Sequence, residues 1–212
     1  LGTPDVAALN RGAVNLARHI ENLQKFGLTP VVAINHFIKD SAEELAALKA
    51  VCDSYGARCA IARHWAEGGA GAEDLAREVQ AQLAEAPAAV RLLYPDAMPL
   101  AQKIETVARE IYRAEGIAVS SSAAGSLAEF EKLGYGHLPV CIAKTQYSFS
   151  TNPDAKGAPV DHIIPVREVR LSAGAEFIVV ICGDIMTMPG LPKVPAANAI
   201  DIGADGKIVG LF

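Results

Sequence analysis

The chain has 212 residues, 51% of them hydrophobic, with a formal net charge of -5. That is room for one large domain or two small ones, with apolar material for a sizeable core. Charged residues make up 20% and are spread along the chain, which argues against disorder, and the acidic balance offers no footprint for a nucleic-acid backbone.

In chain order, the first element is a helix from about Leu9 to Phe26. Val14, Leu16, Ala17, Ile20 and Leu23 lie close to one stripe, and Gly27 is free to take the left-handed conformation that ends it. Residues 30–34 read as a short buried strand. Ser41 followed by Glu44 is a capping box, opening a helix whose inner face is Leu45, Leu48 and Cys52 and which Gly56 follows. Residues 58–62 form a second strand. A stretch with Gly68, Gly69 and Gly71 leads into a helix over 73–83 that is expected to bury Leu75, Val79 and Leu83. Strands joined by a helical crossover run parallel, and a parallel sheet needs more than two strands and two covered faces. The sheet is therefore expected to be completed by chain outside this βαβα segment.

Pro87, Pro95 and Pro99 mark a soft boundary, dividing domain 1–92 from domain 93–212. Beyond it come helices over 101–113 and 122–133, the second ended by Gly134, and a strand over 139–143. Apolar runs at 162–171 and 177–182 flank a turn at Ser172-Ala173-Gly174-Ala175. Three prolines forbid regular structure across 186–195, and strands at 199–202 and 207–211 join through Asp205-Gly206, a hairpin signal.

The candidate sites follow from this layout. Ligands of open parallel sheets bind beyond the carboxyl ends of the strands. Asn35-His36-Phe37 follows the first strand and Arg63-His64-Trp65 the second, so Phe37 and the single Trp emerge from matching ends. The two rings either plug the sheet end or close on a flat ligand from opposite sides. Gly68 and Gly69 either form a flexible loop entry or let a ligand approach the backbone. Lys144 and Thr145 follow a strand and suit a phosphate or carboxylate, or form a solvated loop. Asp184 and Lys193 read as a surface pair or as contacts to a polar ligand. The five histidines make no metal-ligand set, no G-x-x-x-x-G-K-[ST] phosphate loop occurs, and Ser120-Ser121-Ser122 reads as a helix cap. Cys52, Cys59, Cys141 and Cys182 form no C-x-x-C pair and read as reduced thiols of a cytoplasmic protein. No apolar run reaches the roughly 18 residues of a membrane span. No signal peptide opens the chain, and the absence of an initial Met raises the expectation of a truncated chain or a fragment.

Several long segments carry a resemblance. Residues 31–35 (VVAIN), 64–69 (HWAEGG), 143–148 (AKTQYS), 169–175 (VRLSAGA), 183–197 (GDIMTMPGLPKVPAA) and 205–212 (DGKIVGLF) are all similar to segments of formate–tetrahydrofolate ligases. The match runs in order along the whole chain and corresponds to the carboxyl-terminal part of that family. The resemblance implies an α/β fold in which the parallel βαβα segment completes a P-loop-type sheet, followed by a smaller α/β domain with C-terminal hairpins. It implies ATP with Mg²⁺, formate and tetrahydrofolate as substrates and admits a monovalent cation. It implies partnership with the missing N-terminal part of the same enzyme, and a homo-oligomer. ATP would phosphorylate formate, and N10 of tetrahydrofolate would attack formyl phosphate to give 10-formyltetrahydrofolate. By motif position Phe37 and Trp65 resemble the aromatic pair that sandwiches the pterin, with Asn35, Gly68 and Gly69 lining the same pocket. Asn35 with Asp40 is loosely like the base-reading N-K-x-D element, with His36 in place of Lys. Because the phosphate loop lies upstream, this chain alone is expected to be inactive. The alternative is a non-catalytic fragment serving folding or oligomer assembly.

Overall fold

A computed structural model describes residues 3–85, 89–185 and 194–210. The first helix, α1 (Val6–Lys25), begins earlier than periodicity suggests, because Asp5 caps it by accepting from the Ala8 N–H at 2.8 Å. Its buried face also differs from the expected stripe. Ala13, Ala17 and Ile20 are buried, while Val14 and Leu23 stand exposed, and two polar residues, Arg18 and Asn22, take inner positions. At its end the Leu28 N–H donates to Leu23 O at 3.2 Å and the Gly27 N–H to Gln24 O at 2.9 Å, with Gly27 at φ +74°. This is a Schellman closure.

Strands β1 (Val31–Asn35) and β2 (Arg58–Ala62) pair in parallel, Asn35 opposite Ala62. Between them lies α2 (Ala42–Ser54), started by the capping box: Glu44 N–H donates to Ser41 Oγ at 3.2 Å and Ser41 N–H to Glu44 Oε2 at 3.1 Å. Ile20, Cys52 and Ala57 form a small core with Leu16, Val32 and Cys59 packed against it. The first strand is less buried than its composition suggests: only Ile34 is fully enclosed, and Ala33 and Asn35 are exposed. Among the described residues the sheet has two strands, so β1 has no neighbour on its far edge. The glycine stretch is ordered as a short helix α3 (His64–Glu67) and a 3₁₀ turn over Gly68–Ala72. It leads into α4 (Glu73–Glu85), where Val79 and Leu83 are exposed rather than buried. That helix has a narrow contact face on β2, so residues predicted inward fall on its solvent side.

The second sheet is four-stranded, in the order β3-β5-β6-β4. β3 (Gly116–Val119) lies parallel to β5 (Ile163–Ser172), β5 antiparallel to β6 (Phe177–Cys182), and β6 parallel to β4 (Val140–Ala143). Residues alternate along β5, with Ile164 and Val166 buried and Ile163, Pro165 and Arg167 exposed. The inner face joins α5 (Leu100–Glu110) and α6 (Ser121–Lys132) in one core built on Leu100, Ile104, Leu127, Ile164, Val166, Ile178 and Val180. The helix predicted to reach residue 113 stops at Glu110, since Arg113 takes φ +55° and β3 must begin at Gly116. Sequence reading missed that strand. The β5–β6 turn forms where predicted, with Glu176 as its left-handed residue. The last hairpin, β7 (Asp201–Ile202) with β8 (Ile208–Val209), is shorter than the expected strands. Lys193 and most of the proline-rich segment, with Leu211 and Phe212, lie outside the described residues.

The first helix also fastens to the second sheet's side of the molecule. Asn22 Nδ2 donates to Ile111 O at 3.0 Å, Asn15 Nδ2 to Gly157 O at 3.0 Å, and Lys25 pairs with Glu110 at 2.7 Å.

Candidate functional site

Level strand ends fix the first site. Because Asn35 is paired with Ala62, the loops after β1 and β2 leave the sheet side by side, and the His36 N–H still donates to Ala62 O at 3.1 Å. The β1 loop then turns tightly: the Phe37 N–H donates to Asp40 Oδ2 at 2.8 Å and the Asp40 N–H to Phe37 O at 3.0 Å. This closure presents the Phe37 ring to solvent, 59% exposed. The β2 loop holds Trp65 on α3, and its indole Nε1–H donates to His36 O at 2.7 Å. Trp65 is thus tied to the residue preceding Phe37 while keeping 51% exposure, so both aromatic side chains retain free surface at the same end of the sheet.

Next to Phe37 lies a crevice of about 500 Å³ between the start of α1, the end of β1 and α2. Its wall is apolar (Leu9, Ile34, Leu45, Leu48), with Asn35, Lys39, Asp40 and Glu44 as polar members. The Glu44 carboxylate accepts from the Asp5 N–H at 2.9 Å as well as from Ser41, and these backbone donors hold it below the usual carboxylate range. Asn35 and Phe37 share this crevice; Trp65, Gly68 and Gly69 stand outside its lining, on the β2 loop. Gly68 needs its glycine identity for φ +59°. Gly71 needs its own for a different reason: a Cβ there would meet the Arg63 carbonyl at 2.6 Å, so this close approach serves the loop's own backbone.

Lys144 and Thr145 sit elsewhere, in a second cleft of about 490 Å³ between α1 and the segment after β4. Asp184 is on a third surface, pairing with Arg167 at 3.5 Å, which makes it an exposed ion-pair member. The serine run acts as the cap it was expected to be: Ser120 Oγ accepts from the Ala123 N–H at 3.2 Å. Sequence reading missed two positioning elements, the Asp40 closure on Phe37 and the indole bond to His36. The first is a local signal lost among common Asp-containing turns. The second depends on the pairing of two strands. Among the described residues no group of three or more metal-ligating side chains is assembled, and no described helix is long and apolar enough to cross a membrane.

The arrangement sets two exposed aromatic side chains beside a partly polar crevice at one sheet end. Comparison with known proteins narrows it. The family model for formate–tetrahydrofolate ligase matches residues 1–212. A formate–tetrahydrofolate ligase of Methylobacterium nodulans is 60% identical over 215 residues, covering 100% of this chain and 38% of the relative. Those of Allorhizobium ampelinum and Paracoccus denitrificans are 57% and 58% identical over 212 residues, again with 38% of their length matched. The chain spans little more than a third of the curated relatives it resembles, and over that span it belongs to the formate–tetrahydrofolate ligase family.

Proposed function

We propose that this chain supplies the folate-stacking part of a ligase that forms 10-formyltetrahydrofolate from formate, tetrahydrofolate and ATP. In that reaction ATP, carried with Mg²⁺ as substrate, converts formate to formyl phosphate. N10 of tetrahydrofolate attacks the formyl carbon, the C–O bond to phosphate breaks, and N10 loses its proton. The role of this chain is to orient the amine donor. Phe37 and Trp65 cover the two faces of the pterin, Asn35 meets its polar edge, and Gly68 and Gly69 keep the loop beside Trp65 free of side chains. The observation that carries this reading is the tether from the Trp65 indole to His36 O, which fixes one ring relative to the backbone that bears the other.

The remaining N-terminal part of the same enzyme would supply phosphate handling and the strands that complete the sheet beyond the free edge of β1, with the division between the two domains of this chain near 92/93. The test uses the single Trp as reporter. Titration with tetrahydrofolate is expected to quench its fluorescence saturably, and Phe37→Ala, which keeps the reporter, is expected to weaken the apparent affinity roughly tenfold, the scale of one lost aromatic face. No response in the unaltered chain would favour a non-catalytic part that serves assembly.

A further inference from the structure

The cleft holding Lys144 shares no lining residue with the crevice beside Phe37. Three separate pieces of chain build it: the middle of α1 (Asn15, His19), Tyr112 after α5, and residues 144–157 after β4. Its charged members are Lys144 and Lys156, and its lining contains no carboxylate. The Lys144 ammonium is held in place by neutral groups. It donates to Thr145 O at 3.1 Å and to Ser148 O, and it lies 4.8 Å from the centre of the Tyr112 ring. Carbonyl oxygens and a ring face fix an ammonium without cancelling its charge, and the third N–H has no partner among the described residues.

The wall behind it adds to the imbalance. Arg18 is 8% exposed, packs over Phe149 at 5.6 Å, and leaves Nη1 buried with no hydrogen-bond partner. One carboxylate, Glu21, serves both Arg18 at 3.7 Å and Arg113 at 3.5 Å. The His19 ring packs against Phe149 at 4.8 Å between centroids, tilted by 45°. At the rim Lys156 lies 5.1 Å over the Tyr147 ring.

The loop forming the outer lip is cross-tied by hydrogen bonds. Ser148 Oγ donates to Ala155 O at 2.6 Å, the Ser150 N–H donates to Ser148 Oγ at 3.0 Å, and Asn15 clamps Gly157. A desolvated, fixed cation with one free donor, in an aromatic-walled cleft of the size that takes small molecules, calls for a complementary anion.

From this geometry we infer that the cleft binds the oxyanion of a small molecule, a carboxylate or a phosphate, with Lys144 as the inner contact and Lys156 at the rim. Neither contact belongs to the folate-stacking reading, and the inference stands without it. The chain labelled with ¹⁵N is titrated separately with inorganic phosphate and with acetate, at ionic strength held constant with chloride. The amides of Tyr147 and Gly157 are expected to shift and saturate, and Lys144→Gln and Lys156→Gln each to raise the apparent Kd at least tenfold. Lys132→Gln, on the exposed side of α6, leaves it unchanged. Saturation by phosphate alone assigns a phosphate group, by acetate alone a carboxylate, and by both a general oxyanion site. Shifts that never saturate, or that both cleft variants leave intact, overturn the inference. If Lys144→Gln does not fold, the exposed Lys156→Gln variant decides.

Discussion

At the scale of single residues, Lys103 shows what buried charge does here. It is fully enclosed in the second core, and its Nζ donates to Gly136 O at 2.8 Å and Leu138 O at 2.9 Å. Burial pushes its pKa down, and the two carbonyls are what make an ammonium tolerable there. Lys103→Met keeps the length but strands both acceptors, and a loss on the order of 2–4 kcal/mol is expected in urea unfolding; an unchanged midpoint refutes this assignment. The histidines give a pH dependence. Burial, with Lys144 adding to it, pushes His19 below its ordinary 6.5, and burial does the same for His162, whose ring nitrogens are enclosed. The unfolded imidazoles therefore take protons first, so stability is whole above about pH 6.5 and is lost as the pH falls below it. Unfolding midpoints at neutral and mildly acidic pH check this, and replacing both histidines by Gln should flatten the profile over that window. Legibility at this scale follows sequence distance. The Ser41–Glu44 box and the Ser120 cap are readable because both partners lie within one turn. Lys103 gives no signal because its acceptors come more than thirty residues later.

Helices were the more readable elements, since a periodic stripe spans many residues, yet their buried faces were misjudged wherever packing was thin. In α1 the stripe predicted from hydrophobicity included Val14 and Leu23, which are exposed, while Asn15, Asn22 and Lys25 make the polar ties to Gly157, Ile111 and Glu110. Strand β3 escaped because four residues between two helices carry no periodicity of their own and are called into strand form by pairing with β5. The close of α1 gives a clean prediction. Gly27 sits at φ +74°, and a Cβ there would lie 2.0 Å from Ala89 O, whereas Gly56, at φ +65°, faces open space. Gly56→Ala is expected to cost only the left-handed backbone penalty, about 1–2 kcal/mol, and Gly27→Ala clearly more, because the chain returning past residue 89 must move. Equal thermal shifts for the two variants would contradict that account. The chain is held there by Arg91, whose N–H donates to Phe26 O at 3.0 Å and whose Nε donates to Lys25 O at 2.8 Å.

For the whole molecule, the parallel pairing of β1 with β2 and the position of both aromatic side chains at one sheet end were legible, because crossover connections and strand-end geometry follow general rules. The order β3-β5-β6-β4 was not, because it places the β5–β6 hairpin between two strands that precede it in sequence. Nor was the Lys144 cleft, whose α1 wall and loop wall lie more than a hundred residues apart in sequence. On the proposal that the phosphate-handling half belongs to the rest of the enzyme, this chain supplied with ATP, formate and tetrahydrofolate should produce no 10-formyltetrahydrofolate while still quenching with the folate. Turnover by the pure chain would overturn the proposed division of labour.

The hairpin's central place also sets an order of events on the ribosome. Both outer strands of the larger sheet are made first, and neither can pair with the other. The apolar faces of α5 and α6 therefore have no complete sheet to settle on until residue 182 has left the exit tunnel, so the closing of this core waits on the β5–β6 hairpin.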